Sequence, residues 1–125
     1  MNKRSVIISV LALALVLSFA IAGSALAYST AKAAPTLSGA TATGSQYGGY
    51  KVTVMWDTKG AKPDEVYFDY YDLMSKTHRV KSWKPTSAQL TAGSMVIYCA
   101  QNEVPYSAYV CNRYGSSAVW KFQLI

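Results

Sequence analysis

The stretch from Glu65 to Lys84, EVYFDYYDLMSKTHRVKSWK, decides the fold class. Its first half alternates with a period of two, so that one face carries Val66, Phe68 and Tyr70, and the other Tyr67, Asp69 and Tyr71. This period predicts a half-buried strand. Residues 74–77 interrupt the alternation, and residues 78–84 carry three basic side chains. We therefore predict a hairpin with an acidic strand, a turn and a basic strand, and a row of exposed tyrosines.

The same alternation recurs on both sides of this hairpin, most strongly in residues 50–57, 95–100, 106–113 and 120–124. Turn-forming residues separate these segments, and no segment has the period of a soluble helix. About six or seven short strands predict an all-β domain, either a barrel or, as we favour, a small antiparallel β-sandwich of the immunoglobulin-like type.

The N-terminal segment reads as an export signal. Lys3 and Arg4 precede an apolar run over residues 6–21, and Ala25-Leu26-Ala27 matches a small-x-small cleavage site. We predict an apolar signal helix in residues 1–27, cleavage after Ala27 and a secreted, extracellular protein. Two alternatives are an uncleaved membrane anchor and a pilin-like segment at the core of a filament.

The remaining chain divides by composition. Residues 28–49 are rich in Ala, Ser, Thr and Gly, which predicts a flexible leader, although residues 36–43 could add as an edge strand. Residues 50–125 would form the β-domain.

The charge balance favours an anionic partner. Removal of residues 1–27 leaves ten basic and six acidic residues, so the net charge falls from +6 to +4. For an exported protein, such a charge favours an anionic cell-envelope component, for example a cell-wall precursor or a surface polymer, over nucleic acid. The alternative is that the charge only keeps the protein soluble.

The two cysteines, Cys99 and Cys111, predict one disulfide in an oxidising compartment. If a turn centred on Pro105 joins their strands, the two residues lie opposite each other in an antiparallel pair. Such a crosslink would stabilise the domain by about 3 kcal/mol.

The sequence contains no recognisable catalytic motif. Zinc sites need three or four ligands, and His78 is the only histidine. The acidic residues alternate along predicted strands and do not have the spacing of a calcium loop. We therefore expect a protein without enzymatic activity, metal or cofactor.

Binding is the function that the aromatic content favours. Ten tyrosines and three tryptophans are more than one small core can bury, and tyrosine beside basic residues is typical of binding surfaces. A stabilising role in cross-strand pairs is the alternative for each ring. The candidate binding residues are Tyr67, Tyr70, Tyr71, Lys76, His78, Arg79 and Lys81.

The order of short motifs resembles the lactococcin-type bacteriocins. The matching elements are Val66-x-x-Asp69-Tyr70-Tyr71, Ser75-Lys76-Thr77-His78, Ala92-Gly93 and Ser107-Ala108-Tyr109. Met95 or Val96 stands where that family has tryptophan. The resemblance implies an exported β-sandwich protein that kills related Gram-positive cells by engaging a cell-wall precursor and blocking septum formation, and it points to Tyr70, Tyr71, Lys76 and His78.

Two other classes of function fit the same sequence. One is a structural subunit of a surface filament or adhesin, which would have another surface protein as its partner. The other is a small secreted hydrolase inhibitor that presents residues 103–106 as an exposed loop held by the disulfide.

Overall fold

The structure, a computed structural model, describes residues 28–123. The predicted signal helix and its cleavage site lie outside the described residues, as do residues 124–125. The elements, in chain order, are β1 (Leu37–Ser45), β2 (Gly49–Trp56), β3 (Glu65–Asp72), β4 (Thr77–Trp83), α1 (Ser87–Ala92), β5 (Ser94–Cys99), β6 (Glu103–Asn112), β7 (Gly115–Ser116) and β8 (Trp120–Lys121).

The strands form two antiparallel sheets. The three-stranded sheet has the order β1-β2-β5, and the five-stranded sheet has the order β4-β3-β6-β7, with β8 also paired to β6. Buried side chains from both sheets form one core, so the sheets pack face to face. These side chains include Val52, Val54 and Ile97 from one sheet and Val66, Phe68 and Val110 from the other. The all-β prediction is confirmed.

The central hairpin forms as its alternation predicted. Strand β3 pairs with β4 over its length, and its buried residues are Val66, Phe68 and Tyr70. The connecting turn contains Lys76, which has a φ of 56°. Since each residue on β4 shares a face with its partner on β3, the register also fixes on which side of the sheet each basic side chain lies, although all of them are exposed at this edge.

Part of the predicted leader is a strand. Residues 37–45 form β1 at the edge of the three-stranded sheet. Over that range the predicted flexible leader is therefore an edge strand. Earlier still, the backbone of Ser29 bridges to Ala61, and the Tyr28 hydroxyl accepts a 2.8 Å hydrogen bond from Trp56 Nε1. The sequence left an edge strand over residues 36–43 as an alternative and did not decide for it, because small and hydroxyl side chains form an edge strand without a marked apolar period.

The predicted disulfide is wrong. Cys99 lies on β5 opposite Tyr50, whereas Cys111 lies on β6 opposite Glu65, and both cysteines are free thiols. The predicted β5–β6 hairpin does not form because the chain crosses from one sheet to the other after Cys99. The loop of the inhibitor hypothesis is corrected as well, since residues 103–106 belong to β6 and have no disulfide to hold them.

One short helix was not predicted. In α1, the Thr86 hydroxyl accepts from the Gln89 amide, and the Gln89 side chain accepts from the Thr86 amide. This reciprocal pair is a capping box. Gly93, with a φ of 70°, ends the helix in the left-handed conformation that glycine adopts without steric cost.

Candidate functional site

The best candidate site is the outer face of the five-stranded sheet, the face turned away from the other sheet. We define this outer face by six side chains, Tyr67, Asp69, Tyr71, His78, Tyr106 and Tyr109. They come from three adjacent strands, β4, β3 and β6. In the described part of the chain no helix or second sheet packs on this face, so its rings are free to contact a ligand.

His78 lies at the centre of one half of the outer face. Its Nδ1 lies 3.0 Å from Oδ1 of Asp69. Two tyrosine rings flank the imidazole edge to face, Tyr106 with a centroid separation of 4.6 Å and Tyr71 with one of 5.2 Å. The imidazole is therefore held from three sides, while 48% of the side chain stays accessible to solvent.

A stacked tyrosine pair forms the other half. The rings of Tyr67 and Tyr109 are opposite each other on β3 and β6, with centroids 4.9 Å apart and planes within 4° of parallel. A hydrogen bond with the Glu65 side chain, followed by the negative charge of that carboxylate, raises the pKa of Tyr67. The tyrosine consequently keeps its proton over the physiological pH range.

A β-bulge brings Tyr106 beside His78. The register between β3 and β6 shifts after Asp69, so Asp69 opposes Ser107 whereas Tyr70 opposes Pro105. Tyr106 is the extra residue of β6, without a partner on β3. A bulge re-aims the side chain of its extra residue, and here the ring contacts the imidazole two strands away.

The structure divides the seven predicted binding residues. It brings Tyr67, Tyr71 and His78 together on the outer face. Tyr70 is a core residue, only 7% exposed, so its expected place on the binding surface is corrected. The reason is that it shares a strand face with Val66 and Phe68.

The predicted basic binding residues also lie in different parts of the structure. Lys76 is exposed in the hairpin turn, whereas Arg79 and Lys81 share the inward face of β4 with their partners Tyr70 and Phe68. Arg79 Nε lies 3.2 Å from Asp72, and Lys81 Nζ lies 2.6 Å from Glu103. The structure therefore places Arg79 and Lys81 in ion pairs at the sandwich edge, on the opposite side of the sheet from His78, and their binding role stays a prediction.

The pKa values reflect these ion pairs. A hydrogen bond with Glu103 raises the pKa of Lys81, even though partial burial opposes the charge. Burial by itself would raise the pKa of Glu103, but the hydrogen bonds from Lys81 and from the Ala100 amide outweigh it and lower that pKa. Hydrogen bonds from the Asn102 side chain and from the Met74 amide lower the pKa of Asp72. Both carboxylates are therefore ionised at neutral pH.

Sequence reasoning missed three members of the outer face. Asp69 was placed on the same face as Tyr67 and Tyr71 but was not named as a binding residue. Tyr109 appeared only in the motif resemblance, and Tyr106 only in the loop of the inhibitor hypothesis. Tyr109 was predictable once β3 and β6 were known to pair, because Tyr67 then opposes it. Tyr106 was not predictable, since a bulge leaves no regular signal in the alternation.

Two further features are absent from the described residues. Between residues 28 and 123, no group of three or more His, Cys, Asp or Glu side chains lies close enough together to hold a metal ion. Within the same range, no helix combines the length and apolarity needed to cross a bilayer.

Comparisons with known proteins give no relative. No protein-family model matches the sequence, no curated protein is similar to it, and no solved structure is similar to the fold.

Proposed function

We propose that this protein is a non-enzymatic, secreted binding protein that uses the outer face to engage a carbohydrate-bearing component of a cell envelope. The observation that carries the proposal is the ring cluster around His78, where Tyr71 and Tyr106 flank an imidazole that is paired with Asp69. These side chains lie on a sheet face that the rest of the described chain leaves uncovered.

The chemistry of the outer face suits sugars. Tyrosine rings offer flat apolar contact to the C–H faces of a sugar ring and keep a hydroxyl for hydrogen bonding. A carboxylate accepts hydrogen bonds from sugar hydroxyls, and an imidazole can accept a hydrogen bond from a hydroxyl or donate one to it. Rigid aromatic side chains also lose little conformational entropy on binding, which makes them effective anchors.

The positions of the basic residues limit how an anionic group would be recognised. Arg79 and Lys81 are engaged by Asp72 and Glu103, so their charges are already compensated. An anionic group on the ligand would instead meet Lys76 in the turn, or His78 when the imidazole is protonated. We therefore propose that sugar contacts dominate and that charge contributes at the margin of the face.

Binding without turnover is the simpler proposal for this geometry. An Asp–His pair is two thirds of a hydrolytic triad, and the third member is a hydroxyl or thiol hydrogen-bonded to the histidine. Among the described residues, the only side-chain hydrogen bond of His78 is to Asp69.

The experiment is a titration of the protein with soluble peptidoglycan fragments and with teichoic acid, followed by isothermal calorimetry. We expect Tyr106→Ala to weaken binding at least tenfold, because an aromatic anchor at an interface contributes about 1.4 kcal/mol or more. Tyr47→Ala is the matched control, since Tyr47 is 80% exposed in the turn between β1 and β2 and lies outside the outer face. Equal losses in both variants, or binding to neither polymer, would refute the proposal.

The narrower hypothesis is an antibacterial protein that acts on a cell-wall precursor. It rests on the motif resemblance together with the position of Lys76 and His78 near one end of the hairpin. A killing assay on related Gram-positive cells tests it, and the double variant Lys76→Ala, His78→Ala is expected to lose killing while remaining folded. Undiminished killing by the folded variant would leave the surface-filament or adhesin alternative as the next hypothesis to test.

We also infer that the sandwich is of the immunoglobulin-like type. Its support is the strand order, in which β1-β2-β5 faces β3-β6-β7 as in the common immunoglobulin arrangement, with β4 added beside β3.

A further inference from the structure

Strand β5 has an unpaired edge without the usual protection against strand addition. It pairs with β2 on one side and is the last strand of its sheet on the other. Its sequence, Ser-Met-Val-Ile-Tyr-Cys, contains no charge and no proline, and its pairing with β2 shows no bulge. Natural edge strands are usually protected by one of these features, because free N–H and C=O groups otherwise pair with another strand.

The other edges in the described part of the sandwich are protected. Strand β4 carries the positive side chains Arg79 and Lys81 in addition to His78. Strand β1 has a register shift between Leu37 and Gly39, and β7 and β8 contain two residues each. The β5 edge therefore differs from the other edges, each of which carries charge, a register shift or only two residues.

The β5 edge is also accessible. A cavity of about 350 Å³ separates it from the end of β4 and from α1, and its lining includes Trp83, Gln89 and residues 95–98. On the outward face of β5, Val96 is 42% exposed and Tyr98 is 77% exposed. An added strand could therefore pair with the unpaired backbone groups of β5 and pack against the exposed side chains of Val96 and Tyr98.

We propose that this edge binds a second copy of the chain, with the two β5 strands antiparallel across a two-fold axis at Ile97. Residues whose numbers sum to 194 would then be opposite each other, so Val96 of one copy would face Tyr98 of the other, twice. Aromatic rings opposite β-branched side chains are among the stabilising cross-strand pairs. The two three-stranded sheets would become one continuous six-stranded sheet.

Charge favours a second copy at this edge over the β4 edge. The chain has a net positive charge, so two copies repel each other in general. Pairing through β5 opposes no charged residues, whereas pairing through β4 would bring Arg79, Lys81 and His78 of both copies together. The proposed dimer uses the sheet opposite the outer face, so it is independent of the proposed function.

The test is sedimentation velocity on the purified native protein, whose N-terminus is first determined by mass spectrometry. The contact is small for a protein interface, so we expect a monomer–dimer equilibrium with a dissociation constant of about 1–100 µM. Val96→Lys should weaken it at least tenfold. Thr41→Lys, an equivalent charge on the exposed edge strand β1, should leave it unchanged.

Three results would overturn the proposal. They are a wild-type protein that stays monomeric up to 1 mM, an assembly larger than a dimer, and a Val96→Lys variant that is folded by circular dichroism yet dimerises like the wild type. Hydrogen exchange adds a separate check, because the amides of β5 should gain protection as the protein concentration rises. Protection that is independent of concentration would mean that another part of the same chain covers the edge, which also contradicts the proposal.

Discussion

The Nδ1 atom of His78 lies 3.0 Å from Oδ1 of Asp69, although the two residues belong to different strands of the central hairpin. Asp69 is directly opposite Val80, so its carboxylate reaches His78 along the diagonal of the pair. This contact orients the imidazole and leaves the other ring nitrogen, Nε2, for a ligand. The rings of Tyr71 and Tyr106 then restrict how far the imidazole can rotate.

Replacing this carboxylate tests the orienting role. We expect Asp69→Asn to weaken ligand binding several-fold, because the amide is a poorer acceptor for Nδ1–H and holds the ring less firmly. The free energy of unfolding should change by less than about 1 kcal/mol, as is usual for partly exposed pairs. Calorimetric titration and chemical denaturation measure the two quantities, and unchanged affinity in the variant would contradict the orienting role.

Tyr70 should affect stability and not recognition. Removing a buried aromatic side chain costs about 3–5 kcal/mol, so Tyr70→Ala is expected to lower the free energy of unfolding by that amount. Tyr70→Phe keeps the buried ring and should bind the ligand with wild-type affinity. Tyr71→Ala is the comparison, since it should weaken binding at a smaller cost in stability. A binding defect in folded Tyr70→Phe would show that this hydroxyl does contact the ligand.

Acid should destabilise the protein through Glu103. Its pKa is lower in the folded protein than its ordinary value of 4.5, so its stabilising contribution is complete above about pH 4.5. That contribution is lost as the pH falls through the lower folded-state pKa, because the unfolded chain then binds more protons. The free energies of unfolding of wild type and Glu103→Gln should differ by about 1 kcal/mol at pH 7, and this difference should shrink as the pH falls below about 4.5. A constant difference across this range would rule out the linkage.

Both cysteines should be present as thiols of low reactivity. Burial, followed by the negative charge of Glu103, raises the pKa of Cys99 to about 11. Burial, followed by the charges of Glu65 and Asp64, also raises the pKa of Cys111. Thiol-specific reagents should therefore label both residues slowly at pH 8 and rapidly after unfolding. An intact mass two hydrogens below that of the reduced chain, with a melting temperature that falls on reduction, would contradict the free thiols.

The hairpin was the most predictable part of the fold. The alternation over residues 65–71 determined both the strand and its buried face, and it already placed Tyr70 beside Val66 and Phe68. The binding role of Tyr70 came instead from the aromatic content of this stretch and from its position in the resemblance. Sequence patterns inside one strand therefore predicted the burial of this residue better than the motif did.

Pairing between distant strands was not predictable. The sequence offers no local signal that β5 joins β2 and that β6 joins β3, because neither partner follows the other through a short turn. The error in the disulfide has this origin, since its register assumed that neighbours in the chain are neighbours in the sheet. Helix α1 has only six residues, too few to show an apolar period, and the small side chains of β1 left its edge strand only as an alternative, since both elements depend on capping and pairing.

Because of the bulge in β6, the side chain at position 106 can be changed without altering the pairing of the rest of the sheet. Pro105 and Ser107 are both paired with β3, whereas Tyr106 has no partner there, so its side chain can vary without moving its neighbours to the opposite face. Its carbonyl still accepts the 2.8 Å hydrogen bond from the Phe122 amide, which any residue at that position would preserve. A saturation library at this single codon would therefore explore ligand preference while the scaffold stays constant.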